Sequence, residues 1–374
     1  MPDTLILTDS GAIADFAREL HAFPVIAVDL EADSMHCYKE KVCLLQFTTP
    51  ERTVLVDPLT VSDLDSLKPV MADPAVRKIF HAADYDIRCL NRDFAIEIKG
   101  LFDTMISCQF LGEEKFGLAD ILGKYYGLVL DKQYQRADWA LRPLTPEMIR
   151  YAAEDTRHLH GLALMLEERL AAKGRLDWVA EEFALLEQVR HSEHGGPMFL
   201  RTKGAAALDR RQLAVLEEVL QWRDREARRR DRPPFKILGS KSLFEVARSL
   251  PRSEQGLVAI EGISPRLVER FGRTLLAAVE TAMALPETEL PVYPRGERRL
   301  RDPEVDKRMT VLKEWRQATA VELEIDSGVL INNSTLEGIA RAVPKTAEAL
   351  GAIPGIKNWQ RRVLGPGILK VLGG

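Results

Sequence analysis

The feature that most limits how this chain can fold is an internal repeat with a shift of 93 residues. The stretch LFEVARSLPRSEQGLVAIEGI, beginning at Leu243, aligns without a gap on LEGIARAVPKTAEALGAIPGI, beginning at Leu336, and nine of the 21 positions are identical. Trp222-Arg223 returns as Trp315-Arg316, and Gly272 and Leu276 return as Gly365 and Leu369. One register held over that distance means two tandem copies of one small unit. Strand patterns stop after about residue 208, so both copies read as all-helical. The segment PETELPVYPRGERRLRDPE between them is rich in proline and charge and reads as a linker. The expected limits are 208–285 for the first copy, 286–304 for the linker and 305–374 for the second.

The remaining front part, 1–200, alternates strand and helix patterns. TLILT, PVIAVDLEA, KVCLLQFTT, RTVLVDP and RKIFHAA read as strands, with the short ERT connection predicting a hairpin. Asp9 or Ser10 can cap the helix GAIADFARELHAF, and LFDTMISCQFL, LADILGKYYG and PEMIRYAAEDTRHLHGLALMLEERLAAKG read as further helices. An α/β domain with a mixed sheet follows. Its charge differs from that of the back: residues 1–200 hold 21 Lys+Arg and 33 Asp+Glu, and the remainder holds 31 and 23. An acidic front suits cations and a basic back suits a polyanion, although solubility alone also produces such contrasts. The four cysteines form no C-x-x-C pair and read as reduced thiols of a cytoplasmic protein. No apolar run approaches the roughly 20 residues that span a membrane, and the N-terminus carries acids where a secretory signal carries Lys or Arg.

Three segments carry candidate chemistry. In VIAVDLE, Asp29 and Glu31 sit two apart on a strand, so both side chains leave the same face. Two carboxylates held that close repel unless a cation intervenes, and hard oxygen ligands suit Mg²⁺ or Mn²⁺. In HAADYDIRCL, Asp86 opens a helix, with Asp84 as a competitor and helix capping as the plainer reading of either. In YAAEDTRHL, Tyr151 and Asp155 stand four apart on one helical face. Each motif alone is common; their order on strand, helix start and late helix is what makes the set specific.

That set resembles the DEDD family of 3′→5′ exonucleases, in the branch whose third motif carries a tyrosine, and within it the ribonuclease D family. The flanking segments KVCLLQF, FDTMISCQFLG and LDKQYQRADWALRPLTPEMIRYAAED agree, and the two helical copies resemble the HRDC domain with its W-R entry. Family members often have D-T-E where this chain has Leu30, and S-D-W where it has Ala137. The resemblance implies a ribonuclease H-like α/β exonuclease domain with a mixed sheet, followed by two small all-α HRDC domains. It implies a two-metal hydrolysis of RNA from a free 3′ end, with two Mg²⁺ or Mn²⁺ per site about 4 Å apart. Asp29, Glu31, Asp86 and Asp155 map to the metal ligands, Asp29 as the bridge. Tyr151 maps to the residue that orients or deprotonates the attacking water, and Glu31 also to an acceptor for the terminal 3′-hydroxyl. Gln46, Lys132, Gln133, Arg136 and Trp139 are the candidates to touch substrate, with core packing as the competing role for Gln46 and Trp139. Transfer RNA precursors are the expected substrate and a monomer the expected state. A DNA exonuclease and a nucleic-acid-binding scaffold with a degenerate site are the alternatives.

Overall fold

The computed structural model describes residues 4–131, 133–192, 195–294 and 302–373; Lys132 and the basic linker stretch 295–301 lie outside the described residues. The chain forms two compact units, one of residues 1–32, 42–191 and 300–374, the other of 33–41 and 192–299.

The first unit is built on a six-stranded mixed sheet: β1 (Leu5–Leu7), β2 (Val25–Ala32), β3 (Val42–Thr48), β4 (Thr53–Val56), β5 (Arg77–Phe80) and β6 (Leu101–Asp103), in the order β1-β4-β3-β2-β5-β6. β2, β3 and β4 run antiparallel, while β1 on β4 and β5 and β6 beside β2 are parallel. Helix α1 (Ser10–Leu20) starts where Asp9, not Ser10, accepts the Ala12 amide at 2.9 Å. Then come α2 (Lys68–Ala72), α3 (Asp84–Phe94), α4 (Thr104–Leu111), α5 (Leu118–Tyr126), α6 (Pro146–Arg157), α7 (Leu159–Ala172) and α8 (Leu176–Leu186).

Two elements differ from the sequence expectation. LFD is a strand, because Asp103 ends β6 and turns its carboxylate onto the Met105 and Ile106 amides to start α4. The long helix expected from Pro146 is two helices, interrupted at His158.

Strand alternation gives the sheet two unlike faces. Val28, Leu30, Leu45, Phe47, Val54 and Val56 point into one core with Phe16 and Leu20 of α1 and Leu162 and Leu166 of α7. Asp29, Glu31, Gln46 and Thr48 leave the opposite face, over which α6 lies.

The repeat appears helix for helix. In the second unit α9 (Arg210–Arg229), α10 (Pro234–Ile237), α11 (Ser240–Ser249), α12 (Glu254–Val258) and α13 (Pro265–Met283) form the first copy. In the first unit α14 (Pro303–Glu322), α15 (Ser327–Leu330), α16 (Asn333–Ala342) and α17 (Ala347–Gly351) start 93 residues later in each case. The counterpart of α13 is broken into α18 (Asn358–Val363) and α19 (Gly365–Val371). Arg223 bonds the Leu238 carbonyl and Ser240; Arg316 bonds the Ile331 carbonyl and Asn333, the same positions. Gly262 and Gly355 both have φ near +85°, and a Cβ on either would strike the hydroxyl of Ser242 or Thr335.

The copies diverge at their surfaces. Where the first has Arg266, the second has Trp359, which is fully buried and stacks on Trp178 of α8 at 4.9 Å and 10°. Glu181 takes the Asn358 and Trp359 amides at 2.8 and 2.9 Å, while Glu182 accepts the Trp359 indole N–H at 3.0 Å and pairs with Lys357. In the second unit, the loop 33–41 is tied off by Asp33 on the Lys41 amide, and Tyr38 donates to Asp224 at 2.8 Å beneath the Arg228 guanidinium.

Candidate active site

Asp29 and Glu31 project from the C-terminal half of β2, directly across from Gln46 and Leu44 of β3. Asp86 is brought beside them by a short parallel connection. Residue Ala82, after β5, adopts φ +68°, and the buried Asp103 carboxylate pins the turn through the Ala82 and Ala83 amides. Asp86 then falls in the first turn of α3, buried, whereas Asp84 faces solvent and pairs with Arg88. The structure therefore separates the two aspartates that the sequence left in competition. His81, just upstream, lies 2.9 Å from the Thr104 hydroxyl and packs against the sheet.

Helix α6 completes the group. Thr145 caps its start by accepting the Met148 amide. Its buried stripe of Met148, Ala152 and Thr156 lies on the sheet, with Thr156 bonded to Thr48 at 2.7 Å. Tyr151 and Asp155, one residue back from that stripe, are left facing the acids of β2. Tyr151 is held between Tyr134 and Trp139, ring centres 5.8 and 5.9 Å away, and donates a hydrogen bond to Asp155.

The charges interact strongly. Burial, opposed by hydrogen bonding, pushes Asp29 up to about 6. Burial, then the charges of Asp29 and Glu154, raises Asp155 to about 8. Burial also raises Glu31, reinforced by Asp29, Asp155 and Asp86, and raises Asp86, reinforced by Asp29. The hydrogen bond between the Asp29 and Asp86 side chains holds Asp29 down and pushes Asp86 up. Burial, followed by the neighbouring carboxylates, raises Tyr151 well above an ordinary phenol. Among the described residues no three His, Cys, Asp or Glu side chains stand ready-made around one point. The donor set nevertheless suits a hard divalent cation: it is all oxygen, drawn from three separate elements, and its like charges repel.

The remaining sequence candidates divide. Gln46 is fully buried under α6, and Trp139 is 1% exposed in the small core that supports α6, so neither reaches a nucleotide from solvent. Burial favours the packing role for both: β3 is covered on this face, and the Trp139 indole lies beside Tyr151. Gln133 and Arg136 are exposed on the loop before α6. Gln133 lines a pocket of about 320 Å³ with Leu128, Leu130, Tyr134, Arg150 and Tyr151. Sequence reasoning missed Arg142, whose guanidinium clamps the buried Asp57 with two bonds and also reaches the Cys43 carbonyl. These partners are 85 and 99 residues away, and no local pattern announces them.

The chain resembles known proteins along its whole length. Residues 5–171 match the family model described as 3′-5′ exonuclease, and residues 212–279 and 306–372 each match the HRDC domain. The chain is 30% identical to a ribonuclease D of Gluconacetobacter diazotrophicus over all of this chain and 94% of that one. It is 34% identical to the ribonuclease D of Escherichia coli over 76% of each. The crystal structure of the E. coli enzyme, described as an exoribonuclease involved in structured RNA processing, superposes with a TM-score of 0.75. That match has 28% identity and covers 99% of both chains.

Proposed function

This chain belongs to the ribonuclease D family, and from that premise we propose that it is a metal-dependent 3′→5′ exoribonuclease that trims structured RNA ends, transfer RNA precursors among them. The observation that carries the reading is the mutual charge interaction of four carboxyl groups and a tyrosine drawn from β2, α3 and α6 of the exonuclease domain. We assign the domains as 1–200 for the exonuclease and 208–285 and 305–374 for two HRDC units joined by 286–304. Among the described residues no helix is long and apolar enough to cross a membrane.

Asp29, Glu31, Asp86 and Asp155 would hold two Mg²⁺ or Mn²⁺ ions, which lower the pKa of a bound water and neutralise charge on the leaving oxygen. Asp29 lies at the centre, since Glu31, Asp86 and Asp155 all feel its charge. Glu31 has a second task as acceptor for the terminal 3′-hydroxyl, which favours an end over an internal bond. Tyr151 acts as a donor and not as the base. Its proton is held more tightly than in a free phenol, and its ring is fixed between two aromatics. It orients the attacking water. Oxygen from water bonds to phosphorus, the bond from phosphorus to the 3′-oxygen breaks, and that oxygen keeps the electron pair and takes a proton. A nucleoside 5′-monophosphate leaves, and the shortened strand ends in a new 3′-hydroxyl. Gln133 and Arg136, both exposed on the loop before α6, would meet the strand.

The test is a 5′-labelled RNA strand and its DNA counterpart incubated with Mg²⁺, Mn²⁺ or EDTA. Metal-dependent laddering of RNA is the expected result. Laddering of DNA alone would favour a DNA exonuclease, and binding without shortening would favour a scaffold.

A further inference from the structure

Gln46 is the least satisfied polar side chain near the site. It is 0% exposed, and neither its side-chain nitrogen nor its oxygen has a hydrogen-bond partner. Its place explains both facts. On β3 it stands between Leu44 and Thr48, all three on the face that α6 covers. The α6 stripe above is Met148, Ala152 and Thr156, and Thr156 is committed to Thr48, which also bonds Thr53. Ala152 offers a methyl group and leaves room for the amide. On the β4 side the register partner is Leu55, which has nothing to offer. On the β2 side the register partner is Asp29. Directly opposed residues on one face of an antiparallel pair have Cβ atoms roughly 4.5–5.5 Å apart, within reach of a glutamine amide.

A fully buried carboxamide with no partner is destabilising, whereas an apolar side chain of the same length there costs nothing of that kind. Folding therefore gives no reason for an amide at this position. The carboxylate facing it gives one. We propose that Gln46 is a positioning residue for Asp29: when the site holds its cation, the side-chain N–H donates to the Asp29 oxygen turned away from the ion and fixes that carboxylate's rotamer. The inference rests on the reading of Asp29 as a cation ligand. It differs from the surface role, contact with a nucleotide, which burial disfavours. Outer hydrogen-bond partners of this kind change metal affinity by roughly 10- to 100-fold.

The full-length chain carrying Gln46→Met, and separately Gln46→Leu, is compared with the parent and with Asp29→Asn. Mn²⁺ binding is read by the free-ion EPR signal, and thermal unfolding is measured in EDTA. The expected result is Mn²⁺ affinity at the Asp29-dependent site weakened about 10-fold or more, with an unfolding midpoint in EDTA equal to or above that of the parent. A purely structural glutamine would produce the reverse: a lower midpoint and unchanged affinity of the folded protein. That pattern in both variants, or affinity within about twofold of the parent, overturns the proposal. If Asp29→Asn itself leaves Mn²⁺ binding intact, the failure lies with the cation reading and takes this inference with it; if Asp29→Asn abolishes binding and the Gln46 variants do not disturb it, only this inference falls.

Discussion

The two faces of the sheet in the first unit are made by alternate residues of the same strands, yet they obey opposite rules. On one face Val28, Leu45, Phe47 and Val56 pack into an apolar core, and Phe47 packs edge-on against Phe16 at 5.8 Å. On the other, Asp29, Glu31 and Gln46 sit among one another with charges raised out of their ordinary range and an amide left without a partner. The first face lowers the free energy of the fold. The second raises it, because it buries carboxyl groups whose charges repel one another. Strand alternation lets one backbone carry both without compromise, because a residue's face is fixed by its parity.

Substitutions on the two faces should therefore dissociate. Asp29→Asn is expected to lower the rate of mononucleotide release by about 10³-fold or more, on the scale of losing metal-assisted chemistry, while thermal stability in EDTA holds or rises. Rates near the parent value would remove Asp29 from the site. Phe47→Ala should do the converse. It should cost about 3–5 kcal/mol of stability from the cavity left behind, with turnover per folded molecule largely kept; a denaturation series with activity measured before the transition separates the two. Tyr151→Phe keeps the ring between Tyr134 and Trp139 and should slow the chemical step about 10²-fold with little change in melting temperature. An unchanged single-turnover rate would mean that the hydroxyl is a bystander.

The smallest effect concerns pH. Asp29 and Asp155 are raised in the folded protein to about 6 and about 8 from an ordinary 3.8. Between those values the folded state binds more protons than the unfolded state, so stability without metal falls as pH rises from about 4 to about 8. The loss is read as a melting temperature in EDTA that declines across that window, and saturating Mg²⁺ should flatten it. Melting curves in EDTA that rise with pH over that window would contradict the stated charge coupling.

Much of the charged face was legible in the sequence because its signals are local. The i, i+2 spacing of Asp29 and Glu31 and the i, i+4 spacing of Tyr151 and Asp155 are statements about strand and helix geometry. The choice of Asp86 over Asp84 rests on the family resemblance and not on local geometry, since either satisfies a helix start; the Ala82 turn pinned by Asp103 buries Asp86 and leaves Asp84 exposed. The strand β6 is three residues long and its last residue doubles as a cap, so its pattern merges with α4. The break at His158 is hidden because apolar residues continue across it. Burial of Gln46 and Trp139 and the Arg142 clamp on Asp57 depend on which segments meet, and no window of sequence contains that.

The loop 33–41 leaves β2 two residues after Glu31 and returns as β3, yet it belongs to the second unit, where Tyr38 lodges on Asp224. The polypeptide thus passes between the units four times, like thread through cloth. No single cut frees either piece whole. A fragment ending near residue 200 keeps the stitch and loses the fabric it was sewn to, so a minimal nuclease from this chain has to be designed with that loop shortened, not merely truncated.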